Sequence, residues 1–390
     1  MPHIIFKDVD IVFGQEKGDA LRRLDEGQSR DEILKATGAV VGVADANLQV
    51  QQGEICVLMG LSGSGKSTLL RAVNGLNNVS RGHVYVRHRG EMVDVAAARP
   101  DQLRSVRTES VAMVFQQFAL LPWRTVKENV ALGLELRGVG RAERDAIVEQ
   151  KLKMVQLDEW ANKFAHELSG GMQQRVGLAR AFATNADLLL MDEPFSALDP
   201  LIRTKLQDEL LALQKNLRKT ILFVSHDLDE AMKIGNKIAI MEGGRIVQSG
   251  TPEEIILKPA NAYVAEFVAH MNPMNVLKVS SIMRPLDECL RHGAKFFLDA
   301  KRTVELTTTA NEMPASVHSD GKPISLRPYN SEDIEGAGRI DGIVVISKGI
   351  PMRTVIDLRS RSEFPLIVID EAGRFAGVCD DAEIYSALLR

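Results

Sequence analysis

Apolar residues recur along this chain with two alternating spacings, one of strands and one of helices. Ile4-Ile5-Phe6-Lys7-Asp8-Val9-Asp10-Ile11-Val12-Phe13 alternates in part and predicts a strand. Residues 14–38 are polar and charge-rich and predict one or two short helices. Residues 40–43 and 48–50 predict a strand pair, and Gln51-Gln52-Gly53 turns into an apolar run, 54–59, of buried-strand type. Helical spacing then appears in 68–73, before further strands at 82–87 and 110–116. Residues 118–162 turn helical, chiefly over 128–136 and 143–155. Beyond them, 187–194 and 220–226 predict buried strands. Between these two, Asp199 and Pro200 predict an N-cap and first residue of a helix with Leu206, Leu210 and Leu213 facing the core. Alternating strands and helices predict an α/β fold, a mainly parallel sheet covered on both faces. Ligands in such sheets sit beyond the carboxyl ends of the strands. Gln116, Asp192, Glu193 and His226 all fall at such ends.

Between the strand at 54–59 and the next helix stands Gly60-Leu61-Ser62-Gly63-Ser64-Gly65-Lys66-Ser67-Thr68, the pattern G-x-x-x-x-G-K-[ST]. A glycine loop followed by a helix start aims backbone N–H groups at one point, and that point binds phosphate. The whole run from Gly60 through Ser62, Gly63, Ser64, Gly65, Lys66 and Ser67 to Thr68 is expected to line the site. Lys66 is placed to bridge the β and γ phosphates and Ser67 to hold Mg²⁺. Asp192 suits the outer side of the ion, and Gln116 suits a bridge between metal, water and phosphate. Glu193 is the candidate to orient or deprotonate the attacking water, with His226 on the γ phosphate. A strand-end histidine standing alone would be a structural or surface residue; the other motifs change that. A second phosphate device lies far downstream at Leu168-Ser169-Gly170-Gly171-Met172-Gln173, where Ser169 caps a helix whose N–H groups are free. One triphosphate seldom needs two such devices from one chain. The simplest geometry is a head-to-tail pair in which each copy completes the other's site.

Composition narrows the class rather than the chemistry. A length of 390 residues predicts two domains, and 45% hydrophobic with 26% charged residues is globular. A net charge of −4 gives no hint of a nucleic-acid partner. Cys56, Cys289 and Cys379 have no metal-ligand spacing and predict reduced thiols in a cytosolic protein. The start lacks a signal-peptide pattern, and no run approaches the roughly 18 apolar residues of a membrane span. A membrane role is therefore expected only through a partner.

Taken together, the loop at 60–68, Gln116, the signature 168–173, Asp192-Glu193, the segment Ser196 to Asp199 and His226 resemble the ATP-binding subunit of an ABC transporter. The resemblance spans about residues 1–260 and implies a cassette over 1–270, a RecA-like core with a helical subdomain near 117–170. It implies ATP with Mg²⁺, a signature (Ser169, Gly170, Gly171, Gln173) and Asp199 that take part in nucleotide binding, and hydrolysis by Glu193. It also implies a homodimer on the cytoplasmic face of the membrane, two transmembrane permease subunits and, indirectly, a solute-binding protein. Phe13 resembles the aromatic residue that stacks on adenine, although residues 15–38 separate it from the following strand; a core or strand-end role is the alternative. Residues 117–123 are candidates for docking the membrane subunit. Thr37-Gly38-Ala39-Val40-Val41-Gly42-Val43 and Phe195 to Arg203 resemble the quaternary-amine importers in particular. Residues 117–125 lean toward choline, with glycine betaine or proline betaine as the alternative. A soluble ABC-type ATPase of DNA or ribosomes would call for a second cassette, a coiled-coil insertion or a basic surface, and none is visible.

Residues 271–278 predict a linker. Beyond it, Val279-Ser280-Ser281-Ile282-Met283-Arg284-Pro285 resembles the opening of a CBS motif, and residues 364–378 the strand–turn–strand of a second. The expectation for 279–390 is a CBS-like α+β regulatory domain with a first repeat that is degenerate through Thr307-Thr308-Thr309 and the Gly-rich 335–338. A domain that only stabilises a dimer is the alternative.

Overall fold

The computed structural model describes the chain apart from residues 117–118, 270–273, 275, 294, 331–337 and 389–390 and the side chains of 213, 216 and 217. Gln117 and Phe118 of the expected docking stretch, half of the expected linker, 335–337 of the Gly-rich stretch and the Leu213 side chain thus lie outside the described residues. Two compact units are present: Met1–Ile255 with Pro259–Val268, and Ile256–Lys258 with Ala269–Arg390.

The first unit begins with β1 (Pro2–Phe13), α1 (Lys17–Asp25), α2 (Arg30–Thr37), β2 (Val40–Gln51), β3 (Ile55–Met59) and α3 (Lys66–Ala72). It continues through β4 (Arg81–His88), β5 (Glu91–Asp94), α4 (Pro100–Ser105), β6 (Val111–Val114), α5 (Val126–Leu136), α6 (Arg141–Met154) and α7 (Gly170–Ala183). After β7 (Leu188–Asp192), α8 (Pro200–Leu217), β8 (Thr220–Val224) and α9 (Leu228–Ile234), it closes with β9 (Lys237–Glu242), β10 (Arg245–Gly250), α10 (Pro252–Leu257) and α11 (Ala262–Val268). A six-stranded sheet has the order β10-β9-β3-β8-β7-β6, parallel throughout except for β10. Every residue of β3, β7 and β8 is buried, which is why these strands read as unbroken apolar runs. Leu206 and Leu210 of α8 are buried as expected.

A four-stranded antiparallel sheet, β2-β1-β4-β5, shares its core with the parallel one: Ile4, Phe6 and Leu48 cluster with Leu58, Leu188 and Leu222. Here the expected strand pair 40–43 and 48–50 is a single strand. Asp45 interrupts the apolar pattern but not the strand: it takes a left-handed φ of 48°, and Asp10 accepts its N–H at 2.8 Å. Residues 14–38 form two helices, α1 and α2, inserted between β1 and β2. Ser29 and Glu32 make a reciprocal capping box at the start of α2, and Gly38 closes it in the left-handed conformation. Leu24 and Ile33 pack on Val12, Val41 and Ala44, and Asp25 takes both terminal nitrogens of Arg81, at 2.8 and 2.7 Å.

The second unit is built from α12 (Val279–Ile282), β11 (Arg284–Pro285), a run β12 (Arg291–His292), β13 (Lys295–Phe297), β14 (Val304–Thr308), β15 (Pro314–Ser319) and β16 (Lys322–Ile324), then β17 (Leu326–Pro328), β18 (Ile343–Ser347), α13 (Met352–Arg361), β19 (Leu366–Ile369), β20 (Phe375–Cys379) and α14 (Asp381–Leu388). One sheet has the order β11-β20-β19-β18-β17. Its β19–β20 turn is held by Asp370, whose carboxylate accepts the N–H groups of Ala372 and Arg374. The region expected to hold a degenerate first repeat is instead an antiparallel meander, β12 to β16. Val304, Leu306 and Val317 are buried at strand spacing, and Asp320-Gly321 turns the last hairpin with φ of 48° and 77°.

All three cysteines are free and buried. Burial pushes the thiols of Cys56 and Cys379 up to about 12 and that of Cys289 up to about 11.

Candidate functional site

The phosphate loop joins β3 to α3 and is clamped between strands of both sheets. Gly60 has φ +140°, and a Cβ there would lie 2.1 Å from the Met241 carbonyl oxygen. Gly65 has φ +98°, with the Gly42 carbonyl 2.4 Å from its Cβ position. Neither position has room for a side chain, so the sequence pattern at both is a steric requirement. Lys66 is buried, and its Nζ donates to the carbonyls of Gly60 (2.8 Å) and Leu61 (2.9 Å). Burial lowers its ammonium below the ordinary value, with Glu193 and Asp192 partly opposing. A buried cation held only by carbonyls is what the oxygens of a phosphate would satisfy, so the loop fits a nucleotide.

Asp192 ends β7 fully buried. The Ser67 hydroxyl donates to Oδ1 at 2.7 Å, while Arg71 donates to Oδ2 from Nε at 3.1 Å and from Nη2 at 2.8 Å. Glu193 follows in a left-handed conformation, φ 49°, where residues with a Cβ are strained. Its N–H donates to the Val224 carbonyl, and its Oε2 lies 3.2 Å from Gln116 Nε2 and 3.3 Å from His226 Nδ1. Ser67, Asp192, Gln116, Glu193 and His226 thus form one cluster at the carboxyl ends of β3, β6, β7 and β8. Its donors are oxygens of hydroxyl, carboxylate and amide, a set that suits a hard cation such as Mg²⁺ shared with phosphate.

Phe13 is 40% exposed at the end of β1. A Cβ at Gly42 would lie 2.8 Å from its ring and 3.1 Å from the Thr68 methyl, so Phe13 stands beside the phosphate loop. Ser62 is exposed, and the buried Ser64 hydroxyl has no hydrogen-bond partner among the described residues. Ser169 caps α7 by accepting the Met172 N–H, and Gly170 is exposed. Gly171 packs near the Ala197 carbonyl. The Gln173 amide is turned back on its own chain, donating to the Ala165 and Leu168 carbonyls. Asp199 caps α8 through the Ile202 N–H.

Three residues that sequence reasoning missed hold this cluster. Arg71 lies one turn after Ser67 on α3, so both side chains reach Asp192. Gln174 is buried, donates to the Glu193 carbonyl at 3.1 Å and accepts the Ala197 N–H at 3.2 Å. Arg30, from α2, donates to the Gly63 carbonyl at 3.2 Å. Behind His226, the Ser225 hydroxyl donates to Glu230, whose carboxyl burial pushes above its usual range.

The family model described as ABC transporter matches residues 43–196. Over nearly the full chain, the sequence is 42% identical to the glycine betaine transport ATP-binding protein OpuAA of Bacillus subtilis, covering 97% of this chain and 91% of that protein. It is 40% identical to the glycine betaine/proline betaine transport system ATP-binding protein ProV of Escherichia coli, covering 98% and 97%. The glycine betaine/carnitine transport ATP-binding protein GbuA of Listeria monocytogenes is 39% identical, with 100% and 98% covered. Among solved structures, the dimeric post-hydrolysis ATP-binding cassette MJ0796 bound to ADP and Pi matches with a TM-score of 0.55 at 30% identity, covering 64% of this chain and 98% of that one.

Proposed function

Since this chain belongs to the family of ATP-binding subunits of ABC importers for glycine betaine and related quaternary amines, and is an ATPase coupled to solute transport, we propose that it powers the uptake of glycine betaine as an osmoprotectant. The observation that carries this reading is that the relatives match over almost the whole chain, the second unit included. Choline, which the residues near Trp123 favour, is the competing solute.

In the proposed cycle ATP lies over the phosphate loop, with Lys66 on its β and γ phosphates and Phe13 beside its base. Ser67, Asp192 and Gln116 would hold Mg²⁺, which supplies charge neutralisation on the phosphates. Glu193 takes a proton from the attacking water, whose oxygen bonds to the γ phosphorus as the bond to ADP breaks and ADP leaves with the electron pair. Gln116 and His226, both on Glu193 Oε2, orient that carboxylate. Ser169, Gly170 and Gly171 of one copy would close the site of a second copy, head to tail, beneath two permease subunits on the cytoplasmic face of the membrane. Among the described residues no helix is long and apolar enough to cross a membrane. The second unit, CBS-like in its β18–α13–β19–β20–α14 order, is proposed to regulate turnover.

Uptake of labelled glycine betaine and labelled choline tests this, in cells lacking the chain and restored with wild type, Lys66→Ala or Glu193→Gln. Betaine uptake rescued by wild type alone is expected, and purified Glu193→Gln complex should hold ATP with turnover reduced about a hundredfold or more. Rescue of choline uptake only would move the solute. Rescue by Lys66→Ala would overturn the transport role of the site.

A further inference from the structure

The α1–α2 insert reaches the phosphate loop at the one glycine that packing leaves free. Met241 and Gly42 clamp Gly60 and Gly65, whereas a Cβ at Gly63, φ +77°, would meet nothing within 4 Å. No side chain packs on Gly63, and the peptide after it is held within the loop by one hydrogen bond, from the Ser64 N–H to the Leu61 carbonyl at 3.2 Å. Arg30 Nη1 donates to that Gly63 carbonyl at 3.2 Å. A trans peptide is planar, so a carbonyl fixed on the outside fixes the following Ser64 N–H on the opposite side. Arg30 is half-buried at the start of α2. Its helix is anchored by the Ser29–Glu32 capping box and by the core around Ile33. The hairpin is anchored by the Asp25–Arg81 pair. Beside Arg30 a solvent-open cleft of about 510 Å³, lined by Gln28, Asp31, Gly243 and Arg245, separates the insert from the β9–β10 turn. At this edge the Arg30 hydrogen bond links insert and loop.

We propose that Arg30 is a positioning residue for the nucleotide: it preorganises the Gly63–Ser64 peptide of the phosphate loop, so the insert sets the affinity for ATP. The inference rests on the ATP-binding function above. It is tested on the full chain by measuring the Kd of a fluorescent ATP analogue, the KM and kcat for ATP, and the Tm. The variants are Arg30→Gln, Arg30→Lys and Asp25→Asn. Arg30→Gln should raise Kd and KM about three- to tenfold, with kcat at saturating ATP and Tm close to wild type. Arg30→Lys should recover part of the affinity, and Asp25→Asn should weaken binding by a smaller factor. An Arg30→Gln protein with wild-type Kd would overturn the inference while leaving the ATPase reading intact. Equal losses in Tm and affinity without rescue by lysine would assign Arg30 to stability instead. A wild type that bound no ATP would overturn the nucleotide reading itself, and the inference with it.

Discussion

His3 is buried at 2% exposure in β1, where the Thr220 hydroxyl of β8 hydrogen-bonds its Nδ1 at 2.7 Å and thereby ties the two sheets together. That hydroxyl also accepts the Gly53 N–H, and His3 Nε2 has no hydrogen-bond partner among the described residues. Burial lowers the imidazole to about 4 from 6.5; Asp187 opposes the shift, while Arg87 and Lys219 add to it. The folded chain thus keeps His3 neutral where the unfolded chain would protonate it. Between pH 6.5 and 4 the unfolded state binds the extra proton, so stability falls as pH falls and levels off below that window. From pH 8 to pH 5 the loss should be about 2 kcal/mol. Urea titrations at the two pH values should show it in wild type and not in His3→Gln. A different residue-scale device operates at Glu193. Its left-handed backbone is held by Val224 and Gln174, while Gln116 and His226 hold its carboxylate, so strain and restraint meet on the residue assigned to the attacking water.

At the scale of elements, Gln174 couples α7 to the turn after β7. Its side chain is buried, and removing its two hydrogen bonds leaves the Glu193 carbonyl and the Ala197 N–H without that partner. Gln174→Ala should cost about 1–3 kcal/mol. It should also lower kcat more than it raises KM, which steady-state ATPase assays on the transporter complex would detect. The phosphate loop was legible in the sequence because its chemistry is contiguous: strand, glycines and helix start follow one another. Gln116, Asp192 and His226 were legible because strand ends carry their own signal in a parallel sheet. Arg71, Gln174 and Arg30 were not, since their partners lie 121, 19 and 33 residues away and no local period marks them. The continuous β2 was hidden for a similar reason. Asp45 and Asn47 look like loop residues until Asp10 and Asp8 of the neighbouring strand meet them in hydrogen bonds. The meander from Arg291 to Ile324 was missed because its strands are short and its apolar positions few.

On the scale of the molecule, each of the two units has a core of its own. Leu58, Leu69 and Leu190 belong to one, while Val344, Leu358 and Leu366 belong to the other. A chain cut to residues 1–275 should therefore keep ATP affinity within about twofold of wild type, because every side chain of the site lies in the first unit. If the second unit senses ionic strength, ATPase activity of the reconstituted transporter should lose its salt response after that deletion; an unchanged response would remove the sensing role. The three buried thiols carry a practical consequence. With values of about 11 to 12, no more than roughly one in ten thousand is a thiolate at neutral pH. Maleimides and spin labels should pass them by. A single cysteine introduced at exposed Trp123 or Ser196 would then be the one reporter per copy, and label-to-label distances would test the proposed closure of two copies on nucleotide without first stripping the protein of its native sulfur.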